Sequence, residues 1–326
     1  MQLNFKRVIY VEYYYLGKTN LKVSKLCFGS LTVGPLQANL PIEDGAKIIA
    51  HAFDKGVNFI DTAKLYKTYP YIKRALEITK NKNIIISSKS YDYTYEGMKE
   101  SVQEALECLG VKKIGIFMLH EQESRLTLKG HWDALRYLVD AKKMGLIEAV
   151  GVSTHAVEVV EAAATIPEIE VIHPIVNIKG LGIIDGTIDD MLKAIKFAYV
   201  NGKGIFAMKP LGGGNLLNSY DECLEFVLNI PYVHSIALGM QSIEEVDANI
   251  AKFNGNEIDE NLRNKLKNKK KRLLIEDWCS GCGKCAEACP NNALFINENS
   301  VRVNLEKCLL CGYCSQYCRD FCIKIV

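Results

Sequence analysis

Several features are scarce in this sequence, and each absence excludes something. No apolar run reaches ~18–20 residues, so no membrane span is expected. The opening stretch MQLNFKRVIYVEYYYLG is interrupted by Lys6, Arg7 and Glu12 and lacks the apolar centre of a secretory leader. A cytoplasmic location is therefore expected. Net charge is only +2, from 40 basic and 38 acidic residues, which gives no reason to propose a nucleic-acid partner. The one basic cluster, KLKNKKKR from Lys265 to Arg272, follows acidic Glu257, Asp259 and Glu260. Acid first and base last suits a solvated helix and its dipole. GxGxxG is missing after the first strand-like run, which reads GSLTVGP, and no GxxxxGKS/T phosphate loop occurs. A CxxxCxxC triplet is also absent, since residue 292 is Asn.

What is present divides the chain. At 326 residues, 48% hydrophobic and 24% charged, it has the length for a large domain and a small one, each with a core. Twelve cysteines would suggest disulfides in a secreted protein, but nine of them lie in regular clusters after residue 278. That pattern reads as a metal framework in a reducing compartment. Cys27, Cys108 and Cys223 stand apart in apolar surroundings and read as small core residues.

Before the cysteines, short β-branched runs alternate with longer helical patterns. Eight candidate strands cover 26–33, 57–62, 83–89, 114–120, 147–154, 169–177, 204–210 and 234–239. Several are apolar at nearly every position, as strands buried on both faces are. Between them lie amphipathic stretches such as PIEDGAKIIAHAFDKG and TYEGMKESVQEALECLG, the latter opening at Thr94 and closing at Gly110. Eight such units predict an α/β fold, a (β/α)8 TIM barrel. A doubly wound sheet is the runner-up. The earlier YYYLGKTNLKVSKLCFG predicts a hairpin that plugs the lower mouth of the barrel.

Such barrels place their chemistry at the C-terminal ends of the strands. The second run ends at Asp61, with Tyr66 shortly after; the third ends at Lys89 and the fourth at His120. Each alone has an ordinary explanation: a helix cap, a surface lysine, a core histidine. Together they form a proton donor, an ammonium to lower its pKa, a carboxylate to hold the ammonium, and an imidazole to orient a carbonyl. Tyr69 and Tyr71 lie nearby, but the spacing favours Tyr66 as the acid.

The stretches LGKTNLKVSKLCFGS, GVNFIDTAKLY and GVST, with Lys89 and His120, resemble the aldo-keto reductase superfamily, in particular an iron–sulfur-containing branch. The resemblance covers about residues 12–254. It implies hydride transfer between NAD(P)H and a carbonyl or alcohol, with Tyr66 as proton donor and Asp61, Lys89 and His120 in support. It also implies a cofactor side. Ser153 and Thr154 stand where the family usually has Ser-Asn against the nicotinamide amide, and Asn177 ends the sixth strand. Met208 stands where a tyrosine often stacks on the ring. Gly212, Gly213 and Gly214 form a loop whose N–H groups can approach a phosphate. Asn249 matches an adenine-side asparagine. Gly239 and Glu245 replace the basic pair that reads a 2′-phosphate, which makes NAD(H) at least as expected as NADP(H). A flavin could occupy a barrel rim with such a loop, though no motif indicates one.

The tail carries the most specific signal. Cys279, Cys282, Cys285 and Cys289, followed by Pro290, repeat as Cys308, Cys311, Cys314 and Cys318. This is the run of bacterial two-cluster ferredoxins, in which the fourth cysteine ligates the other cluster. One 4Fe–4S cluster is therefore assigned to Cys279, Cys282, Cys285 and Cys318. The second goes to Cys308, Cys311, Cys314 and Cys289, and Cys322 is spare. Zinc sites pair two CxxC units and do not stack three cysteines at this spacing.

The expected organisation is a barrel over 1–256, a linker helix over 257–273 and a ferredoxin-like α+β domain over 274–326, with the clusters near the catalytic rim. The expected function is an iron–sulfur oxidoreductase acting on a small-molecule carbonyl or alcohol, with a redox partner protein as a further candidate. The alternative is a ferredoxin-like electron carrier whose barrel serves as scaffold or docking domain.

Overall fold

The computed structural model describes residues 11–267 and 271–326. A hairpin comes first, β1 (Tyr13–Tyr15) pairing antiparallel with β2 (Lys22–Ser24). Eight parallel strands then close into a barrel: β3 (Leu26–Gly29), β4 (Phe59–Asp61), β5 (Ile85–Ser90), β6 (Ile114–Gln122), β7 (Ile147–Thr154), β8 (Val171–Pro174), β9 (Gly204–Met208) and β10 (Ser235–Gly239). Neighbours follow chain order, and β10 closes on β3 with Ile236 opposite Leu26 and Gly239 opposite Gly29. Each of the eight apolar runs supplies one strand. β8 stops short of Asn177 at Pro174, which has no N–H to give the ladder.

The helices on the outside are α1 (Ile42–Asp54), α2 (Tyr69–Ile78), α3 (Tyr95–Leu109), α4 (Arg125–Gly130), α5 (Trp132–Lys143), α6 (Val157–Thr165), α7 (Ile188–Val200), α8 (Tyr220–Leu228) and α9 (Ile243–Phe253). The bounds of α3 show local chemistry at work. The Thr94 hydroxyl accepts from Gly97 N, and Gly110 turns out of the helix at φ +68°. Cys27 and Cys223 are buried as expected, whereas Cys108 is exposed. On α3 the buried stripe runs through Val102, Ala105 and Leu109, and Cys108 falls beside it.

Two apolar layers hold the barrel. One lies between sheet and helices. The other fills the barrel, where hairpin residues Leu16, Leu21 and Val23 pack with Phe59, Met118 and Phe206 and plug the lower mouth. Phe59 and Phe206 meet edge to face at 5.0 Å. Each buried ring contributes roughly 1.5–3 kcal/mol relative to exposure.

α10 (Glu260–Lys267) follows, shorter than the span expected over 257–273. Its start is set by Asp259, whose carboxylate accepts from Asn261 N and Leu262 N at 3.0 and 3.3 Å. Residues 268–270 of the expected span lie outside the described residues. The tail then builds two small sheets around α11 (Lys284–Glu287): β11 (Leu273–Ile275) with β14 (Ile323–Ile325), and β12 (Leu294–Asn297) with β13 (Ser300–Val303). Its core is small, made of Leu273, Leu294, Val301, Ile323 and Ile325 with Cys285 and Cys314. Among the described residues no helix is long and apolar enough to cross a membrane.

Candidate active site and cysteine cavities

The four strand-end residues meet at the C-terminal end of the barrel. Lys89 Nζ donates to both carboxylate oxygens of Asp61, at 2.8 and 2.7 Å, and to the Thr62 carbonyl at 2.9 Å. Both side chains are buried. Tyr66 lies with its ring 5.0 Å from that ammonium. His120 meets the Tyr66 ring edge-on at 5.7 Å.

Electrostatics here depart from the expectation in one respect. A lysine beside Tyr66 is expected to lower the phenol pKa. Instead the phenol is pushed well above its ordinary value, first by burial and then by Asp61, Glu121 and Tyr91. The reason is geometric. All three ammonium protons of Lys89 are spent on Asp61 and Thr62, and the carboxylate cancels the charge that Tyr66 would feel. Burial also opposes ionisation of Asp61, but Lys89 and then His173 outweigh it and hold the carboxyl well below the usual range. His120 is pushed well below the ordinary imidazole value, by burial and then by Lys89. It is neutral at pH 7, and its Nδ1 is buried with no hydrogen-bond partner among the described residues.

Tyr91 stacks on His120 at 4.1 Å and ties it to a second network. The Tyr91 hydroxyl donates to Glu121 at 2.5 Å, His155 Nδ1 reaches the other Glu121 oxygen at 3.2 Å, and Lys209 Nζ donates to His155 Nε2 at 2.7 Å. These partners assign the proton of neutral His155 to Nδ1. Glu121 and Lys209 adopt φ of +47° and +57°, conformations that non-glycine residues rarely hold. Their backbone strain is held at the rim of the site.

A cavity of about 400 Å³ opens above the tetrad, within the usual range for small-molecule pockets. Asp61 and Tyr66 line it, as do Met208, Gly213, Gly214, Gly239, Glu245 and Asn249. Lys89, His120 and Gly212 do not. Ser153, Thr154 and Asn177 do not either, because their side chains serve the backbone. Ser153 Oγ accepts from Glu121 N at 2.7 Å, Thr154 Oγ1 donates to Gln122 O at 2.6 Å, and Asn177 is bonded both ways to Leu181 at 2.9 Å. Asn249 accepts from Tyr220 at 2.6 Å, and Glu245 accepts from Gln241 N at 2.6 Å.

His173 also lines the cavity, and no motif in the sequence singles it out. Its Nδ1 donates to Phe206 O at 2.6 Å, its ring stacks on Phe206 at 3.8 Å, and Nε2 lies 3.7 Å from Asp61. Strand alternation is the signal that could find it. Val171 faces the barrel interior and Ile172 the helices, so His173 returns to the inside.

The tail forms part of this cavity. Lys324, Ile325 and Val326 line it. The glycine loop expected to cradle a phosphate is where the tail sits. A Cβ at Gly214 would lie 1.9 Å from Ile325 O, and one at Gly213 would meet Lys324 and Phe321 at 2.8 and 3.3 Å. Asn215 Nδ2 donates to Ile323 O at 2.8 Å. Phe321 lies between the ammonium groups of Lys209 and Lys324, 4.9 and 3.5 Å from its ring centre. The tail thus sits on the C-terminal rim of the barrel, opposite the hairpin.

Among the described residues no three His, Cys, Asp or Glu side chains close on a point fit for a single metal ion. The cysteines instead ring two cavities. Cys279, Cys282, Cys285, Cys318 and Cys322 line one of about 200 Å³. Cys289, Cys308, Cys311 and Cys314 line the other, of only about 20 Å³. Burial and neighbouring thiols push Cys285 up to about 11 and Cys314 up to about 12. Crowded sulfur of this kind suits a polynuclear cation. Each ring carries the four sulfurs that a cubane cluster needs.

Comparison with known proteins agrees with both halves. Residues 25–223 match the aldo/keto reductase family, and residues 273–295 match the 4Fe-4S binding domain. L-galactose dehydrogenase of Arabidopsis thaliana is 22% identical over 282 residues, covering 74% of this chain and 88% of that protein. An aldo-keto reductase from Bacillus halodurans, solved in its holo form, superposes with a TM-score of 0.63 at 19% identity, over 79% of this chain and 96% of that one. For the tail, a polyferredoxin-like protein of Methanocaldococcus jannaschii is 29% identical over 65 residues, 16% of this chain and 39% of that protein.

Proposed function

The chain belongs to the aldo/keto reductase family, and from that premise we propose that it interconverts a small carbonyl compound and its alcohol at Tyr66, with two 4Fe–4S clusters beside the site. The family makes it an oxidoreductase of NAD(P)-dependent type with a ferredoxin-type 4Fe–4S domain. One observation carries the finer reading: the Tyr66 ring lies against the buried Lys89–Asp61 pair and meets His120 edge-on, and Asp61 and Tyr66 open to the cavity.

A bound nicotinamide supplies the hydride. Gly29 and Met208 line the inner part of the cavity that would take its ring, and Gly239, Glu245 and Asn249 line the part that would take its adenosine end. Glu245 there favours a free ribose hydroxyl over a 2′-phosphate, so NAD(H) is the preferred partner. Tyr66, kept protonated by its surroundings, gives its hydroxyl proton to the carbonyl oxygen as charge builds there. His120 is neutral and can donate an N–H to the same oxygen without adding a charge. Lys89 and Asp61 hold the floor rigid and fix the tyrosine ring through the ammonium beneath it.

The clusters would occupy the rings of Cys279, Cys282, Cys285 and Cys318, and of Cys289, Cys308, Cys311 and Cys314, and would supply or accept single electrons. Phe321, three residues beyond Cys318 in the chain, sets its ring 4.9 Å from Lys209 Nζ at the rim. That contact favours exchange with the barrel site over a purely structural tail. A redox protein would feed the outer face, where Cys282 and Cys311 are exposed.

Tyr66→Phe tests the reading. Carbonyl turnover with NADH should fall about 10²–10⁴-fold, the range for losing a general acid, while nucleotide affinity and iron content stay unchanged. Turnover that survives the substitution would return the barrel to the role of a scaffold for an electron carrier.

A further inference from the structure

We propose that Cys322 is a stand-in ligand, able to replace Cys318 at the cluster of the Cys279, Cys282, Cys285 and Cys318 ring. The proposal rests on the reading of that ring as a 4Fe–4S site.

The two cysteine runs fold as an internal repeat. At one constant offset, Gly281 and Leu310 take φ of +65° and +51°, Gly283 and Gly312 take +79° and +75°, and Asn292 and Phe321 take +49° and +50°. The fourth cysteine of each run accepts a backbone N–H from the residue four further on. Ala293 N donates to Cys289 Sγ at 3.4 Å, and Cys322 N donates to Cys318 Sγ at 3.1 Å. Cys322 is therefore the counterpart of Ala293.

Both positions are buried, at 1% and 2% exposure. What the fold needs there is a free N–H and a small side chain, and in the first half a methyl group suffices. The sulfur of Cys322 is surplus to packing. It points to the ring: Cys322 lines the first cavity together with the four assigned ligands. Its thiol lies within hydrogen-bonding reach of the Cys318 sulfur. Its S–H also donates to Asp320 O at 3.7 Å, a weak bond that ligation would give up. The cavity with five sulfurs is also the roomier one, about 200 Å³ against about 20 Å³.

Exchange balances simply. The Cys322 S–H bond breaks and its proton goes to the departing Cys318 sulfur or to water. One Fe–S bond breaks and another forms, and no electron moves. The cluster then survives substitution of Cys318, in which case the Cys322 proton goes to water.

The test compares full-length Cys318→Ala, Cys322→Ala, Cys318→Ala/Cys322→Ala and Cys282→Ala, reconstituted without oxygen. Iron and sulfide per chain and the EPR spectrum after reduction are measured. Cys322→Ala should keep all its iron. Cys318→Ala should also keep it, with an altered EPR line shape because one sulfur now comes from a new position. The double variant and Cys282→Ala, which has no stand-in, should each lose about half, one cluster of two. Cys318→Ser repeats the comparison in a chain where Cys322 N keeps an acceptor, so a folding defect is separable. Cys318→Ala and Cys318→Ser losing as much iron as the double variant would overturn the proposal. Full iron in Cys282→Ala would instead overturn the assignment of the ring itself.

Discussion

The barrel site and the cysteine rings lie side by side but are built on opposite terms. In the barrel, the charges find partners within the chain. Lys89 has an acceptor for each proton, and Asp61 has donors on both oxygens. In the tail, sulfur crowds against sulfur, the Cys285 and Cys314 thiols are forced upward in pKa, and a handful of apolar residues form the core. The buried ion pair of the barrel site is satisfied as folded. The tail leaves its strongest interactions to be made with iron, as small domains with little core generally must. The difference teaches which half depends on metal and which does not.

The sharpest way to break that comparison is at its most satisfied point. Lys89→Met leaves the buried Asp61 carboxylate with only the Ser87 hydroxyl and His173 beside it. It should cost about 3–5 kcal/mol of barrel stability and lower kcat about 10²–10⁴-fold. Denaturant titration and turnover measure this, and iron content should not move. Loss of iron would show that the two halves share one folding unit. Next in size is removal of iron by a chelator. Hydrogen exchange should become fast through β11–β14 while β4 to β8 stay protected, and NADH affinity should weaken roughly fivefold as the wall from Lys324 to Val326 loosens, one contact being worth about 1 kcal/mol. Equal loss of protection in both halves would erase the distinction.

Gly214→Ala works at the seam. At φ +86° and 1.9 Å from Ile325 O, a methyl group must push β14 away, at a cost of about 1–3 kcal/mol. Faster exchange at β14, with Lys89 still paired, is the expected result. The smallest effect is on pH dependence. Tyr66 is shifted up and His120 down, so neither titrates in the middle range, and kcat/KM should stay flat from about pH 6 to 9. Stability should not stay flat. His120 and His155 have folded pKa values below their unfolded ones, so the unfolded chain binds protons first as pH falls. Their contribution is intact above about pH 6.5 and is lost on acidification below it. A denaturation midpoint that falls from pH 7 to pH 5 checks the sign.

Much of the fold is legible in the sequence itself. Strands reveal themselves by continuous apolar runs, and β7 matches its run residue for residue because its neighbours demand burial on both faces. The tetrad is legible because strand ends fix both the level and the direction of Asp61, Lys89 and His120. The nucleotide side is less so. Ser153, Thr154 and Asn177 are polar groups at the right level, yet loop carbonyls and N–H groups compete for them, and sequence does not say who wins. The pKa of Tyr66 misleads for a related reason. Proximity to an ammonium can be inferred from strand ends, but not how many of its protons are already spent on other acceptors. His173 hides inside an apolar strand, and Cys108 looks apolar only because its neighbours are.

The triple glycine after β9 has a consequence for inheritance. Small residues there make the groove into which β14 fits, so they serve as a docking key whatever they do for a nucleotide. Barrels of this kind that gain a cysteine-rich tail should carry such residues at that bend, and barrels that shed the tail are free to fill it. The two features should therefore travel together from chain to chain, and the GGG of one end announces the cysteines of the other.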